Sequence, residues 1–514
     1  MRYFTFLFLI FTVVLLGSCR KDFDTVASSG NLKFSKDTVY LDTVFSGIGS
    51  STYNLTVHNT SDEDITIPSI RLAQGENSFY RLNVDGLPGK IFENIDILAN
   101  DSMYVFVETT ASIQDLAANQ LQFLYTDAIL FDSGSKEQKV ELVTLVQDAI
   151  FLYPEKFEDG SIECLPVGIN EETGEQLCIE GFFLDDAELH FTNEKPYVIY
   201  GYAAVGAGKT LTIDSGARIH FHSGSGIIVA QNGSLHVNGE LSTDTELMEN
   251  EVIFEGDRLE PEFSEVPGQW GAIWLTAGST DHNFNHATIK NATVGILMDS
   301  NDGGTASTLT LKNTQIYNSA NVGLLARTGN IYGENLVINN SGQASVSISY
   351  GGNYSFAHCT FTNYWDNGFR QFPAVLISNA IETPDGIYAS DLTANFTNCI
   401  IYGNENIELL FDKSEEAAFN FSFKNCLIRF NDFAGNYAEI PEYNFENPAL
   451  FENSIFNEDP VFLAPNENKM KIGEESAANG IAIPNLVPSD ILGVSRSASP
   501  DSGAYESVVF PVGD

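Results

Sequence analysis

Positive charge is what this 514-residue chain most lacks: 25 Lys and Arg stand against 69 Asp and Glu, a formal net charge of −44. Nothing on so acidic a surface can neutralise a phosphate backbone, which excludes electrostatic nucleic-acid binding and disfavours docking on anionic headgroups. Long apolar runs are equally scarce. One nearly unbroken run spans Tyr3 to Leu16, and no second run of about 18 residues follows to suggest a further membrane span. Six cysteines in 514 residues exclude a cysteine-dense disulfide scaffold. Histidine is thin too: His220 and His222 alternate on one strand face with no third ligand in view, so no zinc site is expected. What remains is ample core material, 43% hydrophobic and 12% aromatic, with 42 glycines for tight turns.

Arg2 followed by the short apolar run has the build of a signal peptide over residues 1–18. The run ends L-G-S-C, which resembles a bacterial lipobox, making Cys19 the expected lipidation site. Residue 20 is Arg rather than Asp, which by resemblance to Gram-negative lipoprotein sorting implies the outer membrane, with the cell surface as a further option. Residues 19–30 read as a tether. Cysteines in an exported chain can oxidise, and Cys164 and Cys178 bracket the turn-rich LPVGINEETGEQL, so they are a candidate disulfide, with two free thiols as the alternative.

Between residues 31 and 148 short period-2 runs alternate with turn residues: TVYLDTVF, STYNLTVHN, DITIPSIRL, SMYVFVETT and KVELVTLVQ. That pattern predicts an antiparallel β-sandwich of about seven strands. Residues 149–195 read as a connector. From residue 196 to 455 a repeat emerges. Its copies include FNHATIKN, LKNTQIYN, GENLVINN, AHCTFTN, FTNCIIYGN and FKNCLIRFN, each trailed by a second short apolar strand. His286, Asn313, Asn335, His358, Asn398 and Asn425 hold the turn before each strand, at intervals of 27, 22, 23, 40 and 27. A coil of this length cannot bury both its faces alone, whereas stacked coils give every strand two neighbours and close an apolar interior. The absence of L-x-x-L-x-L excludes a leucine-rich repeat. The expected fold is therefore all-β, a right-handed parallel β-helix following the sandwich. Asn291, Asn318, Asn340 and Asn363 form a second column whose amides can bond along the axis, and Cys359, Cys399 and Cys426 a third, read as buried thiols.

The stretches 195–239 (KPYVIYGYAAVGAGKTLTIDSGARIHFHSG…) and 252–279, with S-D-I-L-G-V-S-R…P-D-S-G-A-Y-E near the end, resemble bacterial right-handed parallel β-helix repeat lipoproteins of pectin-lyase-like fold. Residues 45–107 resemble the immunoglobulin-like module that precedes the helix in some of them. Residues 456–514 resemble the segment that closes such helices. The resemblance implies fold and address rather than activity.

Pectin-lyase-like folds carry lyases, hydrolases and non-enzymes alike. No G-H-G, R-x-K or adjacent Asp pair occurs in the repeats of 284–431, and a polyuronate would be repelled by the chain's charge. If a catalytic site exists, the excursion in the 40-residue interval is its place, with Asp366, Arg370, Glu382 and Asp385 as candidates; a plain surface loop is the alternative. Strict alternation in GQWGAIWL points Trp270 and Trp274 outward, and the ladder Lys290, Tyr317, Asn339, Thr362, Tyr402, Arg429 also faces out. Trp270, Trp274, Tyr317 and Tyr402 are thus candidates for stacking on sugar rings, unless an excursion or another domain covers them. No cofactor is implied, with calcium between surface carboxylates left as an option that the residues do not place. The first reading is a lipid-anchored, non-enzymatic envelope protein for adhesion, glycan contact or envelope structure; the second is a polysaccharide lyase or glycoside hydrolase.

Overall fold

The computed structural model describes residues 25–510 apart from 118–119, 133, 171–172, 300–303 and 305. The signal peptide 1–18, Cys19 and tether residues up to 24 lie outside the described residues. The chain is all-β with long parallel sheets, and it divides into two compact units after Asp148.

In the first unit, alternation of apolar and polar residues builds two sheets around one shared core. The six-stranded sheet comprises Val26–Ala27, Ile65–Leu72, Gln122–Phe131, Gln138–Gln147 and Thr38–Phe45, with Ile91–Ile97 beside Ile65–Leu72. The five-stranded one comprises Lys33–Phe34, Tyr53–His58, Ser102–Thr109, Tyr80–Val84 and Leu87–Gly89. Val39, Leu55, Ile67, Tyr80, Val105 and Leu142 all belong to the core between them. Pairing is mixed rather than wholly antiparallel: Thr38–Phe45 runs parallel to Gln138–Gln147, and Val26–Ala27 parallel to Ile65–Leu72.

In the second unit successive strands visit three long sheets in rotation, an arrangement consistent with a β-helix. The first sheet runs through Arg218–Phe221, Val252–Gly256, Ala287–Lys290, Gln315–Ser319, Val337–Ser341, Thr360–Asn363 and Ile400–Gly403. The second includes Trp270–Leu275, Ala292–Met298 and Val322–Ala326; the third includes His282–Asn285, Leu309–Lys312 and Asn330–Glu334. Winding starts earlier than the repeat suggests. Ile150–Leu152, Phe182 and its neighbours, and His190–Phe191, all in the connector, already pair in parallel with the strands of the next coil.

The columns explain the coil. All six turn positions, from His286 to Asn425, have positive φ between 43° and 57°, the left-handed backbone that Asn tolerates best among residues with a side chain. Each donates its backbone N–H to the residue just before the next turn: Asn313 to Glu334, Asn335 to Ala357, His358 to Thr397, Asn398 to Lys424. The six corners therefore lie in one column along the axis. Amides of the second column bond likewise, Asn318 to Asn291 at 3.3 Å and Asn340 to Asn318 at 2.6 Å. Asn363 leaves that ladder and bonds the backbone of Ser341 instead. Cys359, Cys399 and Cys426 are unbridged and buried, and burial pushes the Cys399 and Cys426 thiols well above their ordinary range.

Candidate functional site

Four sequence-based expectations about side chains change once the chain is folded. Trp270 is only 1% exposed, its ring stacked on Phe221 at 4.3 Å and its indole N–H donated to the Lys290 carbonyl. A register shift between Ala272 and Ile273 reverses the alternation within the strand, so Trp270 and Ala272 point inward on one side of it and Ile273 and Leu275 on the other. Trp274 does face outward, half-buried, and donates to Asp299 at 2.7 Å.

Tyr317 and Tyr402 stand in one outward column with Lys290, Asn339 and Thr362, as the register of the first sheet requires. They are nonetheless buried. The C-terminal segment packs over that face: Tyr317 shares a hydrophobic cluster with Met470, Ile491 and Tyr505, and Tyr402 shares one with Ile472 and Ala478. Asn339 donates to the Pro465 carbonyl and to Asn468. Neither tyrosine is open to a sugar ring.

Arg370 is buried beneath the excursion rather than displayed on it. Its guanidinium bonds both carboxylate oxygens of Glu408, at 2.7 and 2.8 Å, and also Asn404 and the carbonyls of Asn363 and Phe372. Burial pushes the Glu408 carboxyl up, against the opposing pull of Arg370. This pair lies beside Asn363, the residue at which the second Asn column leaves its ladder. Asp366, Glu382 and Asp385 are exposed, the last two on or beside the hairpin Ala380–Thr383/Gly386–Ala389. Arg370 bonds none of the three.

Cys164 and Cys178 are joined by a disulfide, with Cα atoms 5.7 Å apart, across the hairpin Cys164–Ile169/Gln176–Phe183. Among the described residues no group of three or more His, Cys, Asp or Glu is placed to hold a metal ion.

A titratable cluster does form on the outer face of the first sheet, around Val252–Gly256. Inward Val252 and Phe254 leave Glu251, Ile253 and Glu255 facing out. Register sets His220 beside Glu255 on one side, and Lys290 follows on the next coil. Lys290 Nζ lies 3.0 Å from Glu255 and His220 Nδ1 3.7 Å from it. Arg218 donates to the carbonyls of Glu251 and Met248, pinning the segment 239–251 at the strand's entry. Beyond the strand's exit, the segment 257–269 is held by Asn291, which donates to Ser264, and by Asn318, which donates to Glu265. Thr288 donates to Glu251 at 2.8 Å, Gln315 donates to Thr288, and the hydroxyls of Tyr317 and Tyr505 both donate to Gln315. The cluster is thus a partly buried ladder of polar side chains on the outer face of the sheet, flanked by the two segments, with Tyr317 and Tyr505 buried at its inner end.

Burial pushes the Glu251 carboxyl above its ordinary range. Burial acts in the same direction on Glu255, but His220, Lys290 and Arg218 outweigh it and hold that carboxyl below the ordinary range. Glu255 keeps 24% of its side chain exposed. Two carboxyls, one on the strand and one just before it, thus have opposite tendencies. The sequence carries a faint sign of this, two Glu at outward positions of E-V-I-F-E, but their cationic partners come from other coils.

No protein-family model matches the chain, and neither does any curated protein. Among solved structures it is similar to a family 123 glycoside hydrolase from Clostridium perfringens, with 10% identity over 23% of this chain and 26% of that one and a TM-score of 0.16. It is similar also to PapD-like domain 7 of human CEP192, with 9% identity, 23% and 86% coverage and a TM-score of 0.16. A third is the catalytic unit of a thermostable GH87 α-1,3-glucanase from Streptomyces thermodiastaticus strain HF3-3, at 11% identity, 73% and 79% coverage and a TM-score of 0.21. The chain spans about a quarter of the first of these. Likenesses this slight decide neither fold nor activity.

Proposed function

We propose that this chain is an envelope protein tethered to the outer membrane through a lipid on Cys19. In this reading an immunoglobulin-like sandwich leads into a right-handed parallel β-helix that makes contact with glycan without turning it over. The observation that carries the reading is the charged cluster on the outer face of the first sheet: partly buried donors and acceptors of both signs, held by the sheet register, suit a polyhydroxylated ligand. Its cations, Arg218 and Lys290, offset Glu251 and Glu255 locally in a chain of net charge −44. The burial of Arg370 against Glu408 supports contact over catalysis at the excursion.

A second reading, glycoside hydrolysis at the same cluster, is favoured by the opposed tendencies of Glu251 and Glu255. The two readings separate on one experiment. The full-length chain is applied to a glycan array, and each retained glycan is then incubated with it and assayed for new reducing ends and for unsaturated products. Retention without turnover, weakened by Glu255→Gln and Lys290→Met, supports contact. Reducing ends that vanish in Glu255→Gln support the hydrolase, and unsaturated products a lyase. Lipidation is tested by labelling cells with a fatty-acid analogue: loss of label in Cys19→Ala supports the anchor, and persistence of label overturns it.

A further inference from the structure

The outer face of the five-stranded sheet in the first unit carries an exposed aromatic strip beside a cleft. Inward Leu55, Leu82, Val105 and Val107 are buried in the core, so alternation turns Asn54, Asn83, Tyr104 and Phe106 outward. Tyr104 and Phe106 are 56% and 41% exposed, large values for aromatic side chains in the interior of a strand. Their rings lie 6.1 Å apart and only 24° from parallel, forming one strip. Cross-strand register places Phe106 between Asn54 on one neighbour and Asn83 on the other. An aromatic face is thus flanked by two carboxamides, each a donor and an acceptor.

Beside Phe106 the surface sinks into an open cleft of about 500 Å³, lined by Asn83, Pro88, Arg81, Glu108 and Lys90 among others. Its far wall is the hairpin Tyr80–Val84/Leu87–Gly89, closed by Asp85 and Gly86, both at positive φ, the tight two-residue turn that keeps such a wall rigid. Charge in the cleft is already engaged. Arg81 donates to Thr110 and lies 3.5 Å from Glu108, while Lys90 donates to the carbonyls of Glu76 and Ser78. Two cations and the carboxylates of Glu76 and Glu108 balance there.

We infer that this face binds a neutral oligosaccharide, whose pyranose rings lie on Phe106 and Tyr104 while their hydroxyls meet Asn83, Asn54 and the cleft. A sugar presents an apolar C–H face and an equatorial rim of hydroxyls, which matches an aromatic strip with carboxamides at its sides. A nucleic-acid base would stack as well, but its phosphates would meet a chain of net charge −44. A polyuronate meets the same repulsion. The balanced cleft leaves the neutral ligand.

The test is native electrophoresis of the full-length chain through gels cast with galactomannan, hydroxyethylcellulose, dextran or polygalacturonate. The proposal expects retardation by at least one neutral polymer, reduced about tenfold in apparent affinity by Phe106→Ala and severalfold by Tyr104→Ala and Asn83→Ala. Tyr40→Ala, an exposed aromatic of the other sheet, leaves the retardation intact. Denaturation midpoints of the variants, matched to the unaltered chain, assign the loss to binding rather than unfolding. Absence of retardation by every neutral polymer overturns the proposal. So does retardation that survives Phe106→Ala, or a stronger effect of polygalacturonate than of any neutral polymer.

Discussion

Arg496 donates through Nη2 to the Oδ1 of Asn335 at 2.9 Å, joining residues 161 positions apart in the chain. The amide of Asn335 is then fully used, since its Nδ2 donates to Asn313 below it and to the Ser489 carbonyl. Asn398 and Asn425 do the same for the segment above, donating to the carbonyls of Ile483 and Ile481. One column of corner residues therefore serves twice: it permits the left-handed turn that closes each coil, and it fastens the closing segment across the first sheet.

The side chain of Arg496 is only 3% exposed and also bonds Glu506, so Arg496→Met leaves that carboxylate without its cation. A loss of about 3–5 kcal/mol in the packing of the closing segment is expected. Hydrogen exchange should quicken across residues 462–507, while the strands from Tyr197 to Asn363 keep their protection. Uniform quickening through both regions would mean that segment and coil unfold as one. At Asn335 itself, with φ at 49°, replacement by Ala should cost about 1–2 kcal/mol more than replacement by Gly, measured as a shift in denaturant midpoint.

Arg370 and Glu408 are both buried, which makes single and double variants behave oppositely to a surface pair. Arg370→Met alone strands a buried carboxylate and should destabilise by about 3–5 kcal/mol, whereas Arg370→Met with Glu408→Leu should recover part of it, since the N–H groups of Ala374 and Glu405 then lose their acceptor. Urea unfolding of the three proteins measures this. A double variant no better than the single one would refute the ion pair as the source.

Trp270 and Trp274 are four residues apart and should respond unequally. Trp270→Ala opens a cavity beside Phe221 and should cost about 3–5 kcal/mol; Trp274→Ala, half-buried with one hydrogen bond to Asp299, should cost roughly 1–2 kcal/mol. Equal costs in chemical denaturation would contradict the register shift at Ala272.

His282 is buried at the start of a third-sheet strand, its Nε2 beside the Ser279 hydroxyl at 3.0 Å. Burial is the main cause that lowers its pKa from 6.5 to about 4, against the pull of Asp281. As pH falls below 6.5 the unfolded chain takes up this proton before the folded one. Stability is therefore lost progressively between pH 6.5 and about 4, by roughly 3 kcal/mol, with no further loss below that. His282→Gln should remove this component, seen as a shallower fall of the denaturation midpoint across the same window.

Much of the architecture is legible in short-range pattern. The alternation of residues 31–148 marks strands, and the Asn and His at intervals of 22 to 40 mark the corners, because each feature depends on the local backbone. The outward column from Lys290 to Tyr402 is legible for the same reason, since parallel pairing fixes its register once the corners are aligned. Exposure is another matter. Whether Tyr317 meets water depends on Met470, Ile491 and Tyr505, which lie more than 150 residues away in the chain.

By itself, then, the amino-acid order determines an all-β chain and which residues share a column, since turn chemistry and hydrophobic period act over a few residues. Only the tertiary structure decides which outward columns stay open and which carboxyls gain cations. The C-terminal segment covers Tyr402, the register shift after Ala272 turns Trp270 into the core, and Lys290 comes to Glu255 from another coil. The physical reason is that burial and charge pairing depend on distance in space, and in a stacked coil the nearest neighbours in space are some 20 to 40 residues apart in sequence.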